Sequence, residues 1–381
     1  MFGIGLALVA LGITSGAPDQ VILQDVQHVT VYGEPGRFGG WPANHGMWIW
    51  DNEILVGYSR GHYLDRGDRH HFDPEKPEEH RLARSLDGGL TWTHEHPADN
   101  GDLIPEDGAL HGTPLPGVTV PAPTDCPGGI NFTHPDFALT MRMNSVHDGQ
   151  SRFYYSYDRG KTWEGPFKLP SFHTPGTAAR TDYIVEDADS CLFFSTAGKA
   201  DGREGRLFCF RTDDGGKSFQ FVSYIGEDPG QPGHFGIMPS SVRLNENELI
   251  VAERHREGPM RNIALYRSTD NGKTWTREAD PVDTVGAGNP PAMIKLADGR
   301  ICLTYGYRAE PFSMCAKISA DGGKTWGPEL VLRNDGITKD MGYPRTVQRP
   351  DGKVVTTYYF ADGKIGPERT IEATIWMPPA P

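Results

Sequence analysis

Long apolar runs, closely paired cysteines and an excess of positive charge are all missing from this chain of 381 residues. Beyond the first residues no apolar stretch approaches the roughly 20 residues that a bilayer-spanning helix needs, so membrane insertion is not expected. The five cysteines (Cys126, Cys191, Cys209, Cys302 and Cys315) are odd in number and lack metal-site spacing, and neither a metal nor a cofactor is expected. Cys191 with Cys209, and Cys302 with Cys315, could face each other across hairpins of an exported protein, but buried free thiols are the reading we favour. The net charge of −13 excludes wholesale binding to nucleic acid and leaves an anionic ligand only a local basic pocket. Helical composition is missing too. The 47 Gly and 31 Pro suit a chain that turns often and ends its strands cleanly.

The N-terminal run from Phe2 to Ala17 is short, apolar and ends in small residues, as a secretory signal does, although no Lys or Arg precedes it. We therefore expect residues 1–20 to be a leader, residues 21–381 to be one domain, and the protein to be secreted or periplasmic.

What the chain does have is a repeat. Five segments share the pattern Ser/Thr-x-Asp-x-Gly-x-Thr/Ser-aromatic, and they begin at Ser85, Ser156, Thr212, Ser268 and Ser319. The first reads Ser85-Leu86-Asp87-Gly88-Gly89-Leu90-Thr91-Trp92 and the last Ser319-Ala320-Asp321-Gly322-Gly323-Lys324-Thr325-Trp326. The hydroxyl and carboxylate can hydrogen-bond the backbone of a tight turn, the fixed Gly takes a positive φ, and the aromatic leaves the turn to pack between sheets. Ahead of each segment lie short β-rich runs around turn signals such as Asp298-Gly299, and a sixth copy around Asp351-Gly352 lacks the stapled turn. Each unit therefore reads as four strands, and six units fit the length as an all-β, six-bladed propeller with four-stranded antiparallel blades. Blade two looks short. The runs Val21 to Tyr32 and Thr370 to Trp376 are expected to complete one blade together, and the Pro/Gly-rich stretch Pro97 to Pro135 to lie over one face as an insertion.

The five segments resemble the Asp-box (BNR) repeats of the sialidase (neuraminidase) superfamily, a likeness that covers nearly the whole chain after residue 20. It implies a carbohydrate-handling propeller with its site on the face opposite the boxes. Family sialidases use an Arg clamp for the substrate carboxylate, a Tyr nucleophile activated by Glu, and an Asp acid/base. A bidentate Arg fixes a carboxylate, and a neutral Tyr avoids repulsion from an anionic sugar. By this resemblance Tyr343, in Gly342-Tyr343-Pro344-Arg345, is the nucleophile, Glu253 its base and Asp73 (with Asp68 as competitor) the acid/base. Arg261 resembles one clamp Arg. The family's opening of the first inner strand is absent, and Arg37 near Trp41-Pro42 stands in its neighbourhood. Asn289 occupies a position where a clamp Arg is expected, leaving Arg308, Arg345, Arg254 and Arg256 to compensate.

Each residue also has a plainer reading: Glu253 as an ion-pair partner of Arg254 and Arg256, Tyr343 as a packed aromatic, Asp73 before Pro74 as a turn former. The cluster His70-His71-Phe72-Asp73 invites a metal, but such rim loops are more often solvated. His45 is a candidate lone acid/base, and His234 and Arg180 are further rim candidates. Three functions stay open: an exo-acting hydrolase of a terminal acidic sugar, a His45-dependent hydrolase or lyase on uronate-containing polysaccharide, and a non-catalytic glycan-binding propeller. The expected partner is a glycan or oligosaccharide, met by a monomer.

Overall fold

The computed structural model describes residues 20–97, 103, 121–147 and 149–381, so the expected leader lies outside the described residues except for Gln20. Six small antiparallel sheets form a ring, a six-bladed β-propeller. Blade one runs outward from an inner strand in two pieces, Arg37–Gly40 and Met47–Trp50, through Glu53–His62 and Glu79–Ser85 to Thr93–Glu95. Blade four is the regular case: Phe235–Arg243, Leu249–Glu257, Met260–Ser268 and Thr276–Arg277. In blade six the outermost strand is Val26–Tyr32, paired antiparallel with Thr370–Trp376, so the two ends of the chain close the ring as expected. The strand at the start of the expected run, Gln20–Ile22, instead pairs in parallel with Glu329–Gly336 at the edge of blade five.

Blade two departs from the four-strand pattern. It has three strands, Ala138–Arg142, Arg152–Ser156 and Glu164–Lys168. The expected insertion over a face lies largely outside the described residues. Its described end instead runs along the outer edge of blade two, where Thr124 bridges Phe167 and Lys168 N–H donates to Thr124 O at 2.8 Å. Cys126, Ile130 and Phe132 from this segment are buried against blades two and three, which supplies the packing that a fourth strand would give.

Strands sandwiched between blades are buried on both faces, so they read as apolar runs without alternation. In Leu249-Ile250-Val251-Ala252, Leu249 and Val251 pack with Leu192 and Phe194 of blade three, whereas Ile250 and Ala252 pack towards Leu303 and Tyr305 of blade five. All five cysteines are buried and free.

The five boxes are near-identical staples. In each, the fourth residue after the Ser/Thr donates its N–H to that hydroxyl at 2.7–2.9 Å. The Asp accepts the N–H of the residue four further on, at 2.9 Å throughout. Gly89, Gly160, Gly216, Gly272 and Gly323 hold the turn at φ 79–94°, which explains the fixed glycine. The Thr274 hydroxyl and then its N–H hold the Asp270 carboxyl down to about 2, and Thr325 does the same for Asp321. A lowered folded-state value means the staples contribute fully above the ordinary value of 3.8 and are lost as pH falls through about 2. We expect the thermal midpoint to drop between these values, and the double variant Asp270→Asn/Asp321→Asn to flatten that drop. Parallel acid titrations of the two proteins, followed by circular dichroism, check it.

Candidate active site

Four inner strands open at the ring axis with a residue followed by proline: Trp41-Pro42, Met238-Pro239, Asn289-Pro290 and Tyr343-Pro344. Trp41, Met238 and Tyr343 sit at φ 56°, 59° and 52°. Left-handed backbone in non-glycine residues costs on the order of 1–3 kcal/mol each and is kept where surrounding structure enforces it. All three residues line one mouth of about 140 Å³ at the axis, together with Asn44, His70, Arg180 and Arg254.

The enforcement at Tyr343 is visible. Asn289 is fully buried; its amide Nδ2 donates to Met341 O at 2.9 Å, and its Oδ1 accepts the N–H of Tyr343 at 3.1 Å and of Gly306 at 3.2 Å. A Cβ on Gly342 would lie 2.3 Å from the Asn289 Nδ2, so glycine is required there. The Tyr343 ring packs edge-on against Tyr359, 5.7 Å between centroids, and against His70, 6.1 Å.

Positive charge gathers around the phenol. Arg254 Nη1 donates to the Tyr343 hydroxyl at 3.0 Å, and the Arg308 guanidinium lies 5.3 Å from the ring centroid. Arg261 donates to the carbonyls of Gly258 and Pro259 in its own hairpin, at 3.1 and 2.8 Å. Burial, then Arg256 and Arg254, lower its pKa, a sign that the three guanidiniums crowd one another. Among the described residues none of Arg254, Arg256 and Arg261 has a carboxylate within ion-pair distance.

Beside this cluster His70 Nδ1 meets Asp340 Oδ1 at 2.6 Å. Asp340 also accepts the Tyr359 hydroxyl at 2.7 Å and the His71 N–H at 2.9 Å, and Arg369 Nε lies 3.3 Å away. Burial alone would raise the Asp340 carboxyl, but the His70 contact and then Arg369 and Arg308 outweigh it and hold it well below the usual carboxylate range. A carboxylate-backed imidazole thus stands 5.3 Å from the Trp41 ring at the mouth.

Of the residues singled out in the sequence, Tyr343, Arg254, Arg180 and His70 line this mouth, with Arg261 beside Arg254 and Arg308 behind the Tyr343 ring. Glu253 is turned away. It is 2% exposed and accepts from His255 Nδ1 at 2.8 Å in a cleft between blades three and four. Neighbours on a strand face opposite sides, so the contact with Tyr343 belongs to Arg254. Asp73 is a turn former: its Oδ1 accepts the Glu75 N–H at 3.0 Å and it pairs with Lys76 at 3.5 Å. His70, from the same loop, reaches the mouth in its place.

Asn289 is a backbone staple and is too buried to touch a sugar. His45 is a core histidine, 1% exposed, between Ser59 at 3.0 Å and His80 at 3.3 Å, with Arg142 also on it. That burial removes the base of the His45-dependent reading. Arg37 is occupied by His62 at 2.6 Å, with Glu34 at 3.7 Å, on the rim of blade one. Arg345 ties blade six to the Ala43 and Thr181 carbonyls inside the axial channel. Arg308 donates to Met341 O at 2.8 Å and Gly288 O at 3.2 Å, so it supports Tyr343 from behind. Sequence reasoning missed Asp340 altogether and read His70 only as part of a metal-like cluster. The local signal for Asp340 was its place just ahead of the glycine-tyrosine turn in the blade without a box.

A family profile described as BNR repeat-like domain matches residues 135–356, and the chain belongs to that family. With six blades and five Asp boxes it is a propeller of the sialidase superfamily. A sialidase of Bacteroides fragilis (strain YCH46) is 25% identical over 283 residues, which cover 67% of this chain and 49% of the relative, so the chain spans about half the length of that protein. A protein of unknown function from Dyadobacter fermentans DSM 18053 superposes with a TM-score of 0.67 at 21% identity, over 93% of this chain and 99% of its own. The NanB sialidase of Streptococcus pneumoniae superposes with a TM-score of 0.58 at 12% identity, over 95% of this chain and 71% of its own. At these identities the two structures speak for the fold.

Proposed function

We infer that the chain is an exo-acting glycoside hydrolase that seats a terminal, acidic sugar in the axial mouth. The observation that carries this reading is the gathering of Arg254 and Arg261, without carboxylate partners among the described residues, at Tyr343 in a chain of net charge −13. Unpaired guanidiniums of this kind are what a carboxylate-bearing ligand needs. The likeness to a sialidase of Bacteroides fragilis supports the same class of substrate.

In this reading the Tyr343 oxygen bonds the anomeric carbon as the bond to the leaving oxygen breaks. The phenol proton passes to water in the mouth, and the Arg254 guanidinium stabilises the negative charge developing on the phenol oxygen. Water then cleaves the tyrosyl–sugar bond and restores the phenol. His70, its Nδ1 held by Asp340, protonates the leaving oxygen, the part expected of Asp73. Arg261, beside Arg254, holds the sugar carboxylate. Export of the protein, expected from its N-terminal run, would bring it to extracellular glycans.

The test is a panel of sialosides and uronate-capped oligosaccharides with analysis of the sugar released. We expect an acidic monosaccharide. Release of neutral sugars alone, an unsaturated product absorbing in the near ultraviolet, or binding with no product at all would each overturn the reading. On the substrate that is turned over, His70→Gln should lower kcat about 10²-fold with little change in KM, as loss of a general acid does. Steady-state kinetics of the variant decide that role.

A further inference from the structure

The cleft that takes in Glu253 has a volume of about 650 Å³, within the range of small-ligand sites. The hairpin 257–260 and the connection 226–234 rim it, and both lie at the mouth end of their blades, so cleft and mouth open on one face. Its floor is the Glu253–His255 pair. A Cβ at Gly236 would sit 2.2 Å from Glu253 Oε2, so the inner strand keeps a glycine there and leaves the carboxylate its place. Burying a hydrogen-bonded carboxylate–imidazole pair of this kind is a poor way to gain stability, since apolar side chains of equal volume do as well or better.

Three polar atoms on this cleft have no hydrogen-bond partner among the described residues: Nε2 of His255 and the Nε of Arg206 and of Arg256. With Nδ1 taken up by Glu253, the ring leaves Nε2 as a polar atom without a hydrogen-bond partner, the Glu257 carboxylate lying 4.0 Å from it. The two guanidinium N–H groups are donors that need an acceptor, and the imidazole nitrogen accepts or donates according to its tautomer. Hydroxyl groups supply both. A carboxylate ligand supplies acceptors only and would meet Glu253 and Glu257; a cation would meet Arg206, Arg256 and Arg277. Arg206 is itself held in position, 3.8 Å over the Tyr224 ring, and Trp275 adds an aromatic wall.

We propose that this cleft between blades three and four is a second saccharide site, which takes an uncharged sugar by hydroxyl contacts to His255, Arg206 and Arg256. Resting on the reading above, it holds the sugar next to the terminal one. Arg254 at the mouth and Arg256 at the cleft are two residues apart on one strand, roughly 7 Å along it, so consecutive rings of one glycan can span the two.

Saturation-transfer NMR on the full chain with lactose as the probe tests the site without requiring turnover. Lactose signals are expected in the wild-type protein and in Tyr343→Phe, and His255→Ala should bind about tenfold more weakly, the effect of one lost buried hydrogen bond. If His255→Ala does not fold, His255→Phe keeps the ring volume and gives the same readout. Signals lost in Tyr343→Phe but kept in the His255 variants would place lactose in the mouth and overturn the site, as would no signal in the wild-type protein. Failure of the glycan panel with lactose binding intact would count against the hydrolase reading alone.

Discussion

Tyr343→Phe is expected to cut turnover of the sugar that the wild-type protein releases by at least about 10³-fold, while the thermal midpoint stays within error. The two halves of that result come from different atoms. The hydroxyl is met by Arg254 at 3.0 Å from the open side of the mouth, and its loss leaves a guanidinium that mouth water can solvate. The ring stays packed on His70 and Tyr359, and the left-handed backbone is held through the N–H of Tyr343, which Phe retains. Phenylalanine therefore fits the same space without strain. Steady-state kinetics and a melting curve on one preparation measure both halves. Unchanged turnover would remove Tyr343 as the nucleophile, and a large fall in midpoint would make its hydroxyl structural.

The ring of blades was legible because the Asp boxes are local. Each staple is complete within eight residues, so its hydrogen bonds can be read from the order of hydroxyl, carboxylate and glycine without knowing what lies beyond the turn. The closing strands were legible for a similar reason, as two β-rich runs at opposite ends that lacked a partner elsewhere. The site was less so. Glu253 and Arg254 follow Leu249-Ile250-Val251-Ala252, a run buried on both faces. Alternation fixes which side chain faces where only if one face is polar, and here nothing in the sequence set the phase. A shift of one residue exchanges a carboxylate for a guanidinium at the Tyr343 hydroxyl. His70 and Asp340 come from loops 270 residues apart, and their contact depends on loop shapes that no short pattern encodes.

Asn289 shows the same limit and carries the second large effect. In the sequence it looked like a gap in an arginine clamp; in the structure its side chain is the clamp for a backbone turn in the next blade. Asn289→Leu, which keeps the volume and removes the amide, should lower the unfolding free energy by about 3 kcal/mol, since Met341 O and the N–H groups of Tyr343 and Gly306 lose buried partners. The urea midpoint should fall at unchanged slope, as it does when stability changes without loss of two-state unfolding. Activity should fall as well, even under conditions where the variant is folded, because the left-handed turn that presents the phenol to Arg254 is no longer enforced. An arginine at this position would have had to leave the fully buried pocket between Gly306 and Gly342, where a single added carbon is already too close. The space around Asn289 therefore selects a small planar amide. A stability loss below about 1 kcal/mol with turnover intact would mean that Gly342 and Pro344 hold the turn by themselves.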